Sequence, residues 1–381
     1  MMKIIRASTI PLSLNVFCRG LLSHLSAEYD VVAVSSPGSD LDELARREGV
    51  RAVAVPMERR IAPLADLRSL RRLWRLFKRE KPAMVHSLTP KAGLLCMMAA
   101  RLAGVPVRVH TFTGLVFPTA TGLKKRLLML TDRITCACAT HIVPEGRGVM
   151  DDLRRHRITR RPMRVLGHGN VRGIDLDHYR RTPGIEAQAA ALRASLGIAR
   201  HHVVLVFVGR LVADKGVAEL VEAFNAIDDP RLHLLLVGPP EADVDPLDEA
   251  TIRTITSHPR IHAVGAQPDV RPYLAAADVS VLPSYREGFP NVVIESGAME
   301  LPCIVTDING SREIIEHGSN GLIVPPRDAA ALKQAIALLN DDDGLRARLA
   351  ARGRPMVAER FEQGYVWNCL TDFYHEILPA Q

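Results

Sequence analysis

Short apolar runs recur along the chain at spacings that leave room for a helix between most pairs. Lys3 to Ala7, Asp30 to Ser35, Arg51 to Val55, Ala83 to Ser87, Val105 to His110 and Thr140 to Val143 form a first series. Val203 to Val208, Leu232 to Val237, Ile261 to Val264, Val279 to Leu282, Cys303 to Thr306 and Leu322 to Val324 form a second. Most are apolar at consecutive rather than alternate positions, as strands buried on both faces are, and the stretches between them, such as Ser13 to Ser26, read as helices. Repeated strand–helix–strand units build parallel sheets, so the pattern predicts two doubly wound sheets covered on both faces. Between the two series, Leu166 to Tyr179 is dense in Gly and Asp, lacks periodicity and leads to a Pro183-Gly184 break. The boundary is therefore placed at Pro183, giving domains of residues 1–183 and 184–360 and a final helix over 361–381, in which Tyr365, Leu370, Phe373 and Ile377 recur at helical spacing.

Two stretches of the first half are amphipathic. Ala65 to Lys81 sets Leu67, Leu70, Trp74 and Phe77 on one helical face and Arg68, Arg72, Arg75 and Arg79 on another. Gly122 to Arg133 mixes Lys124, Lys125, Arg126 and Arg133 with Leu127, Leu128, Met129 and Leu130. Each is either an ordinary surface helix with its basic side in water or a helix resting on anionic headgroups. Charge bears on the choice, because the net +7 divides into +16 over residues 1–180 and −9 over the remainder. No nucleic-acid motif accompanies the basic half, and aromatics for base stacking are few. The expected partner is thus an anionic membrane surface or acceptor, and no nucleic acid.

A length of 381 residues with 47% apolar content suffices for two cores. The best candidate for a membrane span, Ala92 to Ala100, is stopped by Arg101, well short of the roughly 18 to 20 residues required. Arg6 interrupts any signal-peptide core, so the expected location is cytoplasmic, with the inner face of the plasma membrane as a peripheral site. The six cysteines show no C-x-x-C spacing and read as buried thiols. The pairs Asp175/Asp177 and Asp243/Asp245 are loop carboxylates without further ligands, so no metal site and no divalent cofactor is expected.

The candidate chemistry lies in the second half. Ser284 to Gly297 reads S-Y-R-E-G-F-P-N-V-V-I-E-S-G, directly after the strand Val279 to Leu282. Pro290 suits a helix start, so the backbone N–H groups of Phe289 to Val292 lie at a helix N-terminus, a natural anion position, with Glu287 and Glu295 on either side. The plainer reading makes Glu287 a cap and Glu295 a solvated helix residue. Right after the strand Val203 to Val208 comes V-G-R-L-V-A-D-K-G, in which Arg210 offers a planar fork of donors and Lys215 a point charge. The plainer reading here is a surface ion pair with Asp214.

The E-G-F-P-N-x-x-x-E and G-R-L-x-x-x-K-G strings, in this order within one domain, resemble those of retaining glycosyltransferases of family 4. G-x-G-x-x-x-G-I-D, matched around Gly167 to Asp175, resembles that family's crossover segment, and M-E-R-R-I-A-P-L-A-D-L and H-S-L-T-P-K-A-G-L-L resemble a subgroup acting on lipid-linked glycan precursors. The resemblance implies the GT-B fold, two Rossmann-like domains with an interdomain cleft, and a last helix that returns to the N-terminal domain. It implies a nucleotide-diphosphate sugar donor, a UDP-sugar in preference to a GDP-sugar, and a lipid-linked saccharide acceptor. Arg210 and Lys215 would hold the diphosphate beside Gly209. Glu287 with Gly288, Phe289, Pro290, Asn291 and Val292 would hold the sugar, and Glu295 the ribose. In V-H-T-F-T-G-L-V the family's usual histidine position is Thr113, before Gly114, and the nearest imidazole is His110; these three are candidates for the acceptor side. The alternatives to transfer are a sugar-nucleotide epimerase of the same fold and a non-catalytic glycan-binding protein.

Overall fold

The computed structural model describes residues 1–58, 60, 62–241 and 245–379. Two compact units divide it: Met1–Gly173 with Gln363–Gln381, and Ile174–Glu362. Among the described residues each unit is built on one six-stranded parallel sheet.

In the first unit the strands are β1 (Lys3–Ala7), β2 (Asp30–Ser35), β3 (Arg51–Ala54), β4 (Met84–Leu88), β5 (Val107–Phe112) and β6 (His141–Pro144), in the order β3-β2-β1-β4-β5-β6. Alternation along β1 sorts the faces: Ile5 and Ala7 join the apolar cluster under the helices Pro63–Glu80, Pro90–Ala103 and Gly122–Cys138, while Ile4 points to the opposite cluster. The expected helix Ser13 to Ser26 is two helices, Pro11–Phe17 and Leu21–Ser26, separated by a left-handed turn at Gly20 that Trp367 packs against. The apolar face expected for Pro63–Glu80 is rotated. Ser69, Leu73, Leu76 and Phe77 are buried, whereas Leu67 and Trp74 are exposed beside the arginines. The Ser69 hydroxyl can enter the packed face because it donates to the carbonyls of Pro56 and Ala65.

The last helix, Gln363–Ile377, packs on the first unit's sheet. Arg6 of β1 is fully buried, with no carboxylate among its described hydrogen-bond partners, and is held instead by the Tyr374 hydroxyl at 2.7 Å and His86 Nδ1 at 2.6 Å. Arg6 can only donate, so His86 accepts at Nδ1 and its Nε2–H donates to Thr111 Oγ1, 2.7 Å away. This chain of bonds crosses β1, β4 and β5 and ends on the returning helix.

The second unit carries β7 (Val203–Val208), β8 (Leu232–Val237), β9 (Ile261–Gly265), β10 (Val279–Leu282), β11 (Cys303–Thr306) and β12 (Gly321–Val324), in the order β12-β11-β10-β7-β8-β9. It begins at Ile174, ahead of the Pro183 break. Ile174 donates to Phe361 O and is buried with Tyr179 in this unit's core, and Arg354 binds the carbonyls of Leu176 and Tyr179. Pro183 opens a helix, Pro183–Ser195, capped by Thr182, so it is no linker. At the amino ends of β7 to β9, His202, His233 and His262 stack with rings 19° and 15° from parallel and nitrogens 2.9 and 3.1 Å apart.

In each such N–H···N contact the accepting ring must be neutral. Burial, then His262 and His202, push His233 down to about 4; burial pushes His110 to about 3, and burial and Arg6 hold His86 well below its ordinary range. The unfolded chain takes up these protons near pH 6.5 and the folded one does not, so stability present above pH 6.5 is lost as pH falls toward 4. Each fully buried ring contributes about 1.4 kcal/mol per pH unit within that window. Thermal unfolding at pH 7 and pH 5 is expected to show a lower Tm at pH 5, with a smaller fall in His110→Asn. An equal fall in that variant would assign the acid sensitivity to other groups.

Candidate active site

β7 and β10 are neighbours, and from β7 the chain builds outward to β8 and β9 on one side while β10 to β12 lie on the other. Loops leaving the carboxyl ends of such a pair diverge, which makes this the ligand position of open parallel sheets. Both candidate motifs sit there.

The loop after β7 passes Gly209 and Arg210, makes a tight turn at Ala213–Lys215 and enters the helix Val217–Asn225 through Gly216. Gly216 has φ +67°, and a Cβ on it would lie 2.1 Å from the carbonyl oxygen of Pro283 after β10. Glycine is what allows the two loops to touch. Lys215 Nζ thereby reaches Glu287 Oε1 at 2.5 Å, with the two side chains only 17% and 15% exposed. Lys215 adds a full charge near the helix end that is already partly positive, so the position calls for an anion, and in this structure Glu287 supplies it.

The loop after β10 leads into the helix Asn291–Ala298 with Pro290 at its N-cap, φ −73° and no side-chain cap. Glu287 is therefore an ion-pair partner and not a cap. Glu295 is buried within that helix, whose Ser296 donates to Ser280 of β10 at 2.8 Å. Phe289 is buried edge-on to Phe361, and Gly288, Asn291 and Val292 are partly exposed. A third loop, after β11, closes on the same place and had not been singled out. A Cβ on Gly310, at φ +74°, would meet Gly288 O at 2.4 Å, and Thr306 Oγ1 donates to Ser284 O at 2.5 Å. The legible signal was an Asn-Gly turn at a strand end.

Asp214 pairs with Arg286 at 2.8 Å, leaving Arg210 to Glu241 at 2.6 Å, so the expected alternative of Asp214 neutralising the motif's cations is not what forms. Tyr285 donates to Glu219 beneath the guanidinium of Arg327, 4.4 Å from the ring centroid; burial, then the Glu219 carboxylate, push its phenol well up. Of the D-x-D pairs, Asp175 accepts from the backbone of Asp177 and His178, Asp245 accepts from Asp214 N at 2.7 Å, and Asp243 lies outside the described residues.

The remaining candidates belong to the first unit. Thr113 and Gly114 follow β5 and are half-buried. His110 is 1% exposed, 2.9 Å from Ser87 Oγ and edge-on to Phe112, and a Cβ on Gly93 would lie 2.3 Å from its ring. It is a neutral, packed residue of the sheet interior.

The family profile described as "Glycosyl transferase 4-like domain" matches residues 14–169, and that described as "Glycosyl transferases group 1" matches residues 202–342. The Staphylococcus aureus capsular polysaccharide biosynthesis glycosyltransferase CapM is 32% identical over 381 residues, 99% of this chain and 97% of that protein. The Escherichia coli UDP-Gal:alpha-D-GlcNAc-diphosphoundecaprenol alpha-1,3-galactosyltransferase is 31% identical over 301 residues, 77% and 76% of the two chains. Among solved structures, Anabaena Alr3699/HepE in complex with UDP and glucose superposes with a TM-score of 0.83 over 99% of this chain and 100% of that one, at 17% identity, a likeness of fold. Matched in both halves by these profiles and along nearly its whole length by CapM, the chain belongs to the family 4-like, group 1 glycosyltransferases of GT-B fold.

Proposed function

We propose that this glycosyltransferase moves a sugar from a UDP-sugar to a lipid-linked saccharide during cell-envelope glycan synthesis, with retention at the anomeric carbon. One observation carries the reading: two strand-end loops at the β7/β10 junction touch at Gly216 and Pro283, and Lys215, on the same loop as Arg210, meets Glu287 of the E-G-F-P turn. A diphosphate there would exchange places with the carboxylates now on the two cations. Arg210 and Lys215 would then neutralise the charge that grows on the leaving group, while Glu287 and the backbone of Gly288 to Asn291 hold sugar hydroxyls and Glu295 the ribose. No side chain is assigned as nucleophile. The acceptor hydroxyl would attack on the face from which the diphosphate departs, and catalysis would rest on positioning and leaving-group stabilisation. UDP is preferred over GDP because the Escherichia coli relative is named for a UDP-sugar and the Anabaena structure contains UDP; the names of relatives such as the diphosphoundecaprenol galactosyltransferase support a lipid-linked acceptor.

The first unit offers a surface for meeting such an acceptor. Among the described residues no helix is long and apolar enough to cross a membrane. On one layer, however, Leu64, Leu67 and Trp74 of Pro63–Glu80 and Leu123, Leu127 and Leu130 of Gly122–Cys138 are exposed among Arg68, Arg72, Arg75, Lys124 and Arg126, and both helices pack on Pro90–Ala103. Exposed leucines beside cations fit a lipid interface better than a merely hydrated face.

Arg210→Ala and Lys215→Ala are each expected to lower transfer by about 30- to 1,000-fold, equivalent to ~2 to 4 kcal/mol of transition-state stabilisation, with the fold retained by circular dichroism. Unchanged turnover in folded protein would remove the diphosphate assignment. Because the two cations and a helix N-terminus can neutralise the diphosphate, turnover is expected to survive EDTA; complete loss restored by Mg²⁺ or Mn²⁺ would require a metal in the mechanism. Co-sedimentation is expected with anionic liposomes and not neutral ones. Each Lys or Arg contributes about 1 kcal/mol near the surface, so binding should weaken in high salt and in a variant with Arg68, Arg72, Arg75 and Arg79 changed to Gln. Equal sedimentation with both lipids, or with neither, would leave a glycosyltransferase that meets its acceptor away from anionic lipid.

A further inference from the structure

The loop after β8 holds the carboxylate that occupies Arg210. Glu241 Oε2 lies 2.6 Å from Arg210 Nη1, and the pair is half-open to solvent, 37% and 40% exposed. Its place is not that of a wandering surface side chain. Just before it, Pro239 O accepts from Leu211 N at 2.9 Å and Pro240 bridges Leu211; at the next described residue in the chain, Asp245, the carbonyl accepts from Ala213 N at 3.2 Å and the carboxylate from Asp214 N at 2.7 Å. The segment is thus tied to the Arg210–Lys215 loop on both sides of Glu241. Two consecutive prolines ahead of the glutamate narrow its backbone freedom further.

Resting on the donor-site reading above, we propose that Glu241 is a place-holding carboxylate for the diphosphate. In the empty enzyme it neutralises Arg210, and a nucleotide diphosphate binds Arg210 by exchange with it. Chemistry favours such an exchange. A guanidinium presents a planar fork suited to two parallel bonds, and Glu241 engages it through one contact among the described residues, so a diphosphate oxygen pair offers Arg210 more than Glu241 does. Solvent access to the pair lets an incoming anion reach the guanidinium. The exchange has a direction: Glu241 weakens the binding of every diphosphate ligand at this position, donor and nucleoside diphosphate product alike, and its return to Arg210 helps the product leave. Glu241 is therefore a positioning residue that sets donor affinity through Arg210.

A double-variant cycle with isothermal titration of UDP, repeated with GDP, tests this. Glu241→Gln keeps the size of the side chain and removes its charge. UDP affinity is expected to tighten by roughly two- to five-fold, the scale of a half-exposed ion pair, and the gain should shrink at high salt. Arg210→Ala should weaken UDP, and Glu241→Gln should give no gain in the Arg210→Ala background. Weaker binding in Arg210→Ala together with unchanged or weaker binding in Glu241→Gln alone would overturn the role of Glu241 while leaving the donor site standing. A gain that persists without Arg210 would overturn it too, as a general charge effect. If Arg210→Ala leaves UDP and GDP binding unchanged, or if the wild type binds neither, the donor-site reading itself fails.

Discussion

One ion pair, Lys215 with Glu287, joins the two loops on which the proposed chemistry depends. It forms because Gly216 lets the loop after β7 press on the carbonyl of Pro283, and it persists because both side chains are largely removed from water. A mostly buried pair of this kind contributes little net stability, since desolvation offsets much of the attraction, but removing one partner leaves an uncompensated charge. Its value lies in geometry. A cation at the amino end of a helix, a carboxylate from the neighbouring strand end and the backbone of a Gly-Phe-Pro turn are held together before any ligand arrives, which is the preorganisation that the proposed stabilisation of a departing diphosphate calls for.

The sheet strands were legible in the sequence because burial on both faces writes them as continuous apolar runs. β1, β2, β7, β8, β10 and β11 have the limits read from the pattern, and the others differ by a few residues at their ends. Glu287, Arg210 and Lys215 stood out in the sequence as candidates only, through their strings and their place after strands. Glu241 and Gly310 did not. Glu241 opens an acidic stretch, E-A-D-V-D, that reads as a solvated loop, and Gly310 shows only as part of an Asn-Gly turn; each gains its place because β8 and β11 stand beside β7 and β10 in the sheet, a fact of topology that no local window contains. The exposed side of Pro63–Glu80 was misread for a related reason. Periodicity pointed to the stripe Leu67, Leu70, Trp74 and Phe77, whereas the packed face takes in Ser69, whose hydroxyl finds carbonyl partners there.

The first unit depends on a different polar element. Arg6 stands in the middle of the parallel sheet, buried and held at its two terminal nitrogens by His86, Cys18 and, from the far end of the chain, Tyr374, while its Nε has no hydrogen-bond partner. A buried guanidinium carries a severe desolvation penalty unless its donors are engaged, so the returning helix Gln363–Ile377 is part of the conditions under which β1 can hold an arginine at all. Sequence spacing placed Leu370 and Phe373 on the packed side of that helix, but Tyr365 is exposed and Val366 and Tyr374 are buried instead. That a tyrosine there answers an arginine hundreds of residues earlier could be read only from the folded chain.

A crystal structure of the protein with UDP tests the central claim most directly. The account predicts diphosphate oxygens within hydrogen-bonding distance of the Arg210 guanidinium and Lys215 Nζ, with the carboxylates of Glu241 and Glu287 withdrawn from those contacts and the nucleotide lying at the carboxyl ends of β7 and β10. UDP bound elsewhere, or bound with both carboxylates still on their cations, would contradict it.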